Sequence, residues 1–163
     1  MTSNEESHLH LEECISALNE AWRILQQLKS STAKSPIHYA AYRYALIAYA
    51  RPYTRSDGEH KKGRNPYCLK EPKLSPQDII LHKSIIDLRH HVLAHSDLTI
   101  KDARVYVDRF GGLPQAIISS NCDPVCPEID SVVGLIERSL DLLYIDRSQS
   151  LESLAPPQES NLR

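Results

Sequence analysis

At 163 residues, with 41% hydrophobic and 25% charged residues, the chain has the length and balance of one ordinary soluble domain and leaves no room for a second full one. Its net charge of -2 argues neither for nor against a polyanionic partner, so any case for nucleic acid has to rest on local charge. The polar, acidic start (Met1, Thr2, Ser3, Asn4, Glu5, Glu6) lacks the basic and apolar regions of a secretory signal, and the longest apolar runs are too short to span a bilayer, so the expectation is a cytoplasmic protein with no membrane partner.

Two interlocking apolar rows occupy residues 5–30: Leu11, Ile15, Leu18, Trp22 and Leu25 beside Cys14, Ala17, Ala21, Ile24 and Leu28. Steps of three and four predict a helix with a broad buried face. Ser35 and Pro36 read as the cap and first residue of a second helix, carried by Ile37, Ala41, Tyr44 and Ala48 to about Ala50. Pro52 then leaves Arg51 poorly suited to continue it.

Periodicity is absent over residues 51–73, where Pro52, Gly58, Gly63, Pro66 and Pro72 predict a long surface loop. The segment is basic: Arg51, Arg55, Lys61, Lys62, Arg64, Lys70 and Lys73 against Asp57, Glu59 and Glu71 give it +4 and leave -6 for the remainder. A solvated or partly disordered loop is the default for such a charge run, and a contact surface for a polyanion is the functional alternative.

Ser75, Pro76 and Asp78 supply a capping hydroxyl, a first-position proline and a third-position acid, and predict a third helix from Pro76 to roughly Asp97. Val105, Tyr106, Val107 and Ala116, Ile117, Ile118 flank Gly111, Gly112, Leu113 and Pro114, the pattern of a short hairpin. A fourth helix follows Pro124 and Pro127, with Ile129, Val133, Ile136, Leu140 and Leu143 on one face, and beyond Ser148 a polar tail with Pro156 and Pro157 is expected to fray. The expected architecture is an all-α, four-helix up-and-down bundle over residues 1–150 with a disordered tail over 151–163. The four cysteines (Cys14, Cys68, Cys122, Cys126) read as reduced.

The chemically densest stretch is Leu88, Arg89, His90, His91, Val92, Leu93, Ala94, His95, Ser96, Asp97. On a helical wheel, Leu81, Ile85, Leu88 and Val92 form one apolar row and Ile79, Ile86 and Leu93 another, with His82 and Arg89 between them. A guanidinium in the middle of an apolar face must be paired or must line a cavity. His95 lies at the rim, about 9 Å along the axis and about 120° around it from Arg89, so the two converge only with a bend near Ala94 or with help from a second subunit. One reading pairs Arg89 with an internal acid and hydrogen-bonds His95 inside the bundle. Another is metal at His91 and His95 with Cys122 and Cys126, which the weak cysteine spacing makes the lesser alternative, so no metal or other cofactor is expected. With neither a Gly-rich phosphate loop nor a Gly-x-Ser-x-Gly turn, a conventional ATPase or hydrolase is not expected.

The Arg89-x5-His95 spacing resembles the Arg-x(4 to 6)-His motif of HEPN domains, and the continuation Ala94, His95, Ser96, Asp97 is similar to abortive-infection-type and other prokaryotic members. The segment Tyr49, Ala50, Arg51, Pro52, Tyr53, Thr54, Arg55 also resembles a stretch of those sequences. What the resemblance implies is a helical bundle that forms a homodimer, with two motifs facing one cleft that acts as a metal-independent endoribonuclease in defence or toxin-antitoxin systems. His95 would then act as general base or acid, Arg89 would bind the scissile phosphate, and His90 would orient either of them. Arg51, Arg55, Lys61, Lys62 and Arg64 would hold the RNA backbone, and an antitoxin would be a further partner. His82, His90 and His91 are more histidines than such relatives usually carry, so which of His90, His91 and His95 transfers protons stays open. Some HEPN proteins keep the bundle without activity, and the alternative is a non-catalytic interaction module in which Arg89 is structural.

Overall fold

The computed structural model describes residues 1–31, 35–63, 66–90, 103–120 and 126–154. In chain order it contains α1 (Ser3–Ser30), α2 (Pro36–Ala50), α3 (Pro76–Leu88), β1 (Ala103–Phe110), β2 (Leu113–Ser120) and α4 (Ile129–Leu154). Among the described residues the chain is mostly helical, with one two-stranded sheet, as expected of an all-α protein.

Helix α1 begins at a capping box in which Thr2 accepts from the Glu5 N–H and the Glu5 carboxylate accepts from the Thr2 N–H. Its apolar rows bury Leu11, Cys14, Ile15, Leu18, Ala21 and Leu25, while Trp22, Ile24 and Leu28 pack at the rim. Helix α4 buries Val132, Leu135, Ile136 and Leu140 against that face, and it runs through Leu154, past the point at which fraying was expected. The two helices are antiparallel, as their cross-ties show: His8 Nδ1 meets Ser150 Oγ at 3.0 Å, Asn19 Nδ2 donates to Tyr144 Oη at 3.1 Å, and Trp22 Nε1 donates to Glu137 Oε1 at 2.9 Å. Such rim contacts set register more than stability. Full burial of Leu18, Leu25 and Ile136 contributes roughly 1.5–3 kcal/mol each.

Helix α2 starts as its sequence predicts, with Ser35 Oγ accepting from His38 N–H and Pro36 in the first turn. Its buried face differs from the expected row. Tyr42, Ala45, Leu46, Ala48 and Tyr49 are buried, whereas Ile37 is 80% and Tyr44 40% exposed. Alanines and tyrosines lie all round this helix, so several stripes compete, and the stripe offering Leu46 and Tyr49 buries more apolar surface. Tyr44 stays at the rim, where its hydroxyl donates to Glu20 Oε1 at 2.9 Å.

Helix α1 packs along both α2 and α4, and α3 touches α2 and α4 over a narrower area. Ser75 Oγ accepts from the Asp78 N–H at 3.2 Å, which caps α3 at the expected residue. Only Asp78, His82 and Ile85 of α3 are buried, and Ile80 is 70% exposed.

The expected hairpin is present, with Val105 opposite Ile118, Tyr106 opposite Ile117 and Val107 opposite Ala116. Its turn is Gly111–Gly112 alone, with φ of 59° and 85°, and Leu113 and Pro114 already belong to β2. A two-residue turn that matches strand twist needs φ > 0 at both positions, which glycine supplies without strain.

The basic segment departs furthest from expectation. It is folded onto the bundle: Arg51–Tyr53 forms a single 3-10 turn with Pro52 buried, Ser56 and Tyr67 exchange backbone hydrogen bonds at 2.9 and 2.8 Å, and Leu69 N–H returns to Pro52 O at 3.0 Å. Glu6 of α1 is the anchor. It is 2% exposed, and its Oε2 accepts the His60 N–H at 2.8 Å. Burial alone would raise the Glu6 carboxyl, but the N–H groups of His60, Lys61 and Glu59 outweigh it and hold the group below its ordinary range. A Cβ on Gly58 would overlap Glu6 Oε1, so glycine is what lets the loop approach the carboxylate. His10 completes the anchor by stacking on Tyr67 with ring centroids 4.6 Å apart.

Candidate functional site

Helix α3 positions the motif arginine. The α-helix ends at Leu88, with the Arg89 N–H donating to Ile85 O, and Arg89 and His90 continue in a wider, π-type turn. Such turns change the rotation per residue, so an α-helical wheel no longer fixes directions beyond Leu88. Arg89 is half-buried on the line of Asp78, His82 and Ile85, as its place between two apolar rows predicts. Its Nη1 lies 3.2 Å from Nδ1 of the exposed His90. A guanidinium only donates, so Nδ1 is the acceptor in this contact. The arrangement sets a fixed cation beside an imidazole ring.

His95 and His91 lie outside the described residues, as do Arg64 and Cys122. The structure therefore places two of the three motif residues, Arg89 and His90, and brings these two together. Among the described residues no group of three or more His, Cys, Asp or Glu is placed to hold a metal ion.

The loop cations lie on another element. Arg51 is exposed, with Nη1 3.6 Å from Glu20 Oε2. Arg55 Nε lies 3.4 Å from Asp57 Oδ1, and its Nη2 donates to Gly63 O. Lys62 is exposed, and Lys61 is half-buried with its carbonyl accepting the Gly58 N–H at 2.6 Å. Arg51 and Arg55 are thus partly neutralised by neighbouring acids.

The first half of α3 is held by a polar cluster of which the sequence shows the Ser75 and Asp78 cap and the inward place of His82, and not the partners that hold them. Asp78 receives two hydrogen bonds from the Arg138 side chain, Nε to Oδ2 at 2.9 Å and Nη2 to Oδ1, and a third from Ser75 Oγ at 2.8 Å. The bidentate Arg138 fork is the main reason that the Asp78 carboxyl sits below its usual range. His82 Nδ1 lies 2.8 Å from the buried Tyr49 hydroxyl, and the Tyr53 ring meets its imidazole edge-on at 4.5 Å. Burial lowers the pKa of His82 and raises that of Tyr49, so both stay neutral near neutral pH. A neutral, 5% exposed imidazole with a hydroxyl partner fastens α3 to α2, a structural role. Arg138 could not be paired with Asp78 from spacing, because the ion pair joins elements 60 positions apart.

A groove of about 950 Å³ opens between α2 and the approach to α4, lined by Tyr39, Tyr42, Arg43, Tyr44, Cys126 and Glu128. The Tyr42 hydroxyl donates to Pro127 O and ties its two walls together. Comparison with protein-family models, curated proteins and solved structures gives no match to this chain.

Proposed function

We propose that this chain is a HEPN-type, metal-independent endoribonuclease of a prokaryotic defence or toxin-antitoxin system, acting as a homodimer. Within that reading Arg89 binds the scissile phosphate and offsets the negative charge that builds on it, while His95 moves the proton between the ribose 2′-hydroxyl and the leaving 5′ oxygen. His90 orients Arg89, and the segment carrying Arg51, Arg55, Lys61, Lys62 and Arg64 meets the RNA backbone. The observation that supports the reading best is the Arg89 guanidinium, half-buried yet beside the exposed His90 imidazole at 3.2 Å. The test is incubation of single-stranded RNA with the chain in the presence of a chelator, against Arg89→Ala and His95→Ala. Cleavage leaving 2′,3′-cyclic phosphate ends is expected, and each substitution should slow it by about a hundredfold or more. RNA left intact by the unsubstituted chain, or cut equally by His95→Ala, would end the proposal.

One observation favours a non-catalytic interaction module instead: Val105, Tyr106, Val107 and Leu113 leave a hairpin apolar and 53–71% exposed. That reading makes Arg89 structural and expects Arg89→Ala to impair folding or association and to leave RNA chemistry unaffected.

A further inference from the structure

The hairpin carries an argument separate from the motif. With Gly111 and Gly112 as a two-residue turn, Phe110 and Leu113 are the first pair to exchange ladder hydrogen bonds, and bonded and non-bonded pairs alternate from there. Arg109 with Pro114, Val107 with Ala116 and Val105 with Ile118 are therefore the pairs whose backbone polar groups point outward. Proline at 114 agrees, because an outward position has no ladder N–H to lose. The outer edge of β2 consequently presents backbone donors at Ala116, Ile118 and Ser120.

The two edges of this ribbon differ in charge. β1 carries Arg104, Asp108 and Arg109, the kind of residues that discourage pairing at an edge, whereas none of the eight residues of β2 is charged and its edge-blunting Pro114 lies next to the turn, which leaves 116–120 as the stretch open to pairing. Val105 is 64% and Val107 69% exposed, and no helix packs extensively on the ribbon among the described residues. A two-stranded ribbon is marginal in water until further strands or a helix cover it.

We infer that β2 pairs antiparallel with β2 of a second copy of this chain, giving a continuous four-stranded sheet across a two-fold axis. Charge favours this occupant over a charged peptide: the axis sets β2 against itself, so one uncharged strand meets another and no like charges are opposed. The pairing names a contact surface for the dimer of the proposed ribonuclease and rests on that reading only for its link to RNA. Association is measured without RNA.

The experiment is sedimentation velocity of the full chain over a concentration series. It compares the unsubstituted protein with Ala116→Pro, Ala116→Lys and Val107→Pro. Ala116→Pro removes an outward donor of β2, Val107→Pro removes the equivalent donor of β1, and neither takes a bond from the hairpin's own ladder. Ala116→Lys leaves the backbone donor in place and brings a positive charge from each copy to the shared edge. A concentration-dependent dimer is expected, at least about tenfold weaker with either Ala116 substitution and unchanged with Val107→Pro. A protein that stays monomeric, a dimer indifferent to both Ala116 substitutions, or equal loss with Val107→Pro overturns the pairing. A β2-dependent dimer that leaves RNA intact counts against the ribonuclease reading alone.

Discussion

The two long connections of this molecule reverse what their sequences suggest. Among the described residues, 51–74 contain no regular element longer than one turn, yet they are fastened to α1 by Glu6, His10 and the buried Pro52. Residues 103–120 form two regular eight-residue strands, yet Val105, Tyr106 and Val107 are all more than half exposed. Regular backbone bonding and attachment to a core are separate properties. One buried carboxylate that accepts a backbone N–H attaches an irregular segment, whereas a full ladder of hydrogen bonds joins the hairpin's strands to each other and leaves their apolar residues exposed.

The contrast can be broken experimentally. The largest effect is expected from Gly58→Ala, which forces its new methyl group against Glu6 and His10 Nε2 and should cost about 2 kcal/mol, read as a fall of several degrees in Tm. An unchanged melting curve would mean that the segment contributes nothing to global stability. Tyr67→Leu keeps apolar bulk but removes the ring stacked on His10, and about 1 kcal/mol should be lost in urea titration. For the hairpin, Gly112→Ala must hold alanine at a φ of 85°, a strain of roughly 1 kcal/mol. That strain should speed amide exchange within 103–120 and leave the global Tm where it was, so a matching drop in Tm would show that the hairpin and the bundle unfold together.

Acidity separates the two connections further. Glu6 is held below its ordinary range, so its contribution is complete above the pH at which a free glutamate titrates, about 4, and is lost as pH falls through the lowered value. The amide resonances of residues 59–61 should shift over that acidic window in the native chain and stay still in Glu6→Gln. Identical titrations in the two proteins would remove Glu6 as the anchor. The smallest effect belongs to Lys62→Ala, an exposed cation whose loss should change stability by less than about 0.5 kcal/mol and thus make it a clean probe of RNA contact.

Much of this architecture was legible because local chemistry announced it. Ser35 with Pro36 and Ser75 with Pro76 mark helix starts through caps that act within three residues. Gly111–Gly112 marks the turn because two consecutive positive φ angles leave few other choices. Arg89 was readable as a central residue of α3, and its wider turn was not, since no residue type dictates it. The anchoring of 51–74 was hidden because the partners of Glu6 are backbone groups, which every residue but proline possesses. The face of α2 was misread where small and aromatic residues fill several stripes. Of the site, Arg89 and His90 continue α3 in a wider turn, and His95 lies outside the described residues.

The pairing of α1 with α4 also constrains how the chain reaches its fold. Contacts such as His8 with Ser150 and Trp22 with Glu137 span more than a hundred positions, so the loop that separates these helices must be closed before their shared core rewards it. During synthesis α1 and α2 emerge with Leu18, Leu25 and Leu46 lacking the apolar cover that α4 provides, and α4 is the last of the four helices to leave the ribosome. Until Val132, Leu135 and Ile136 arrive, the apolar seam of α1 and α2 stays open to water.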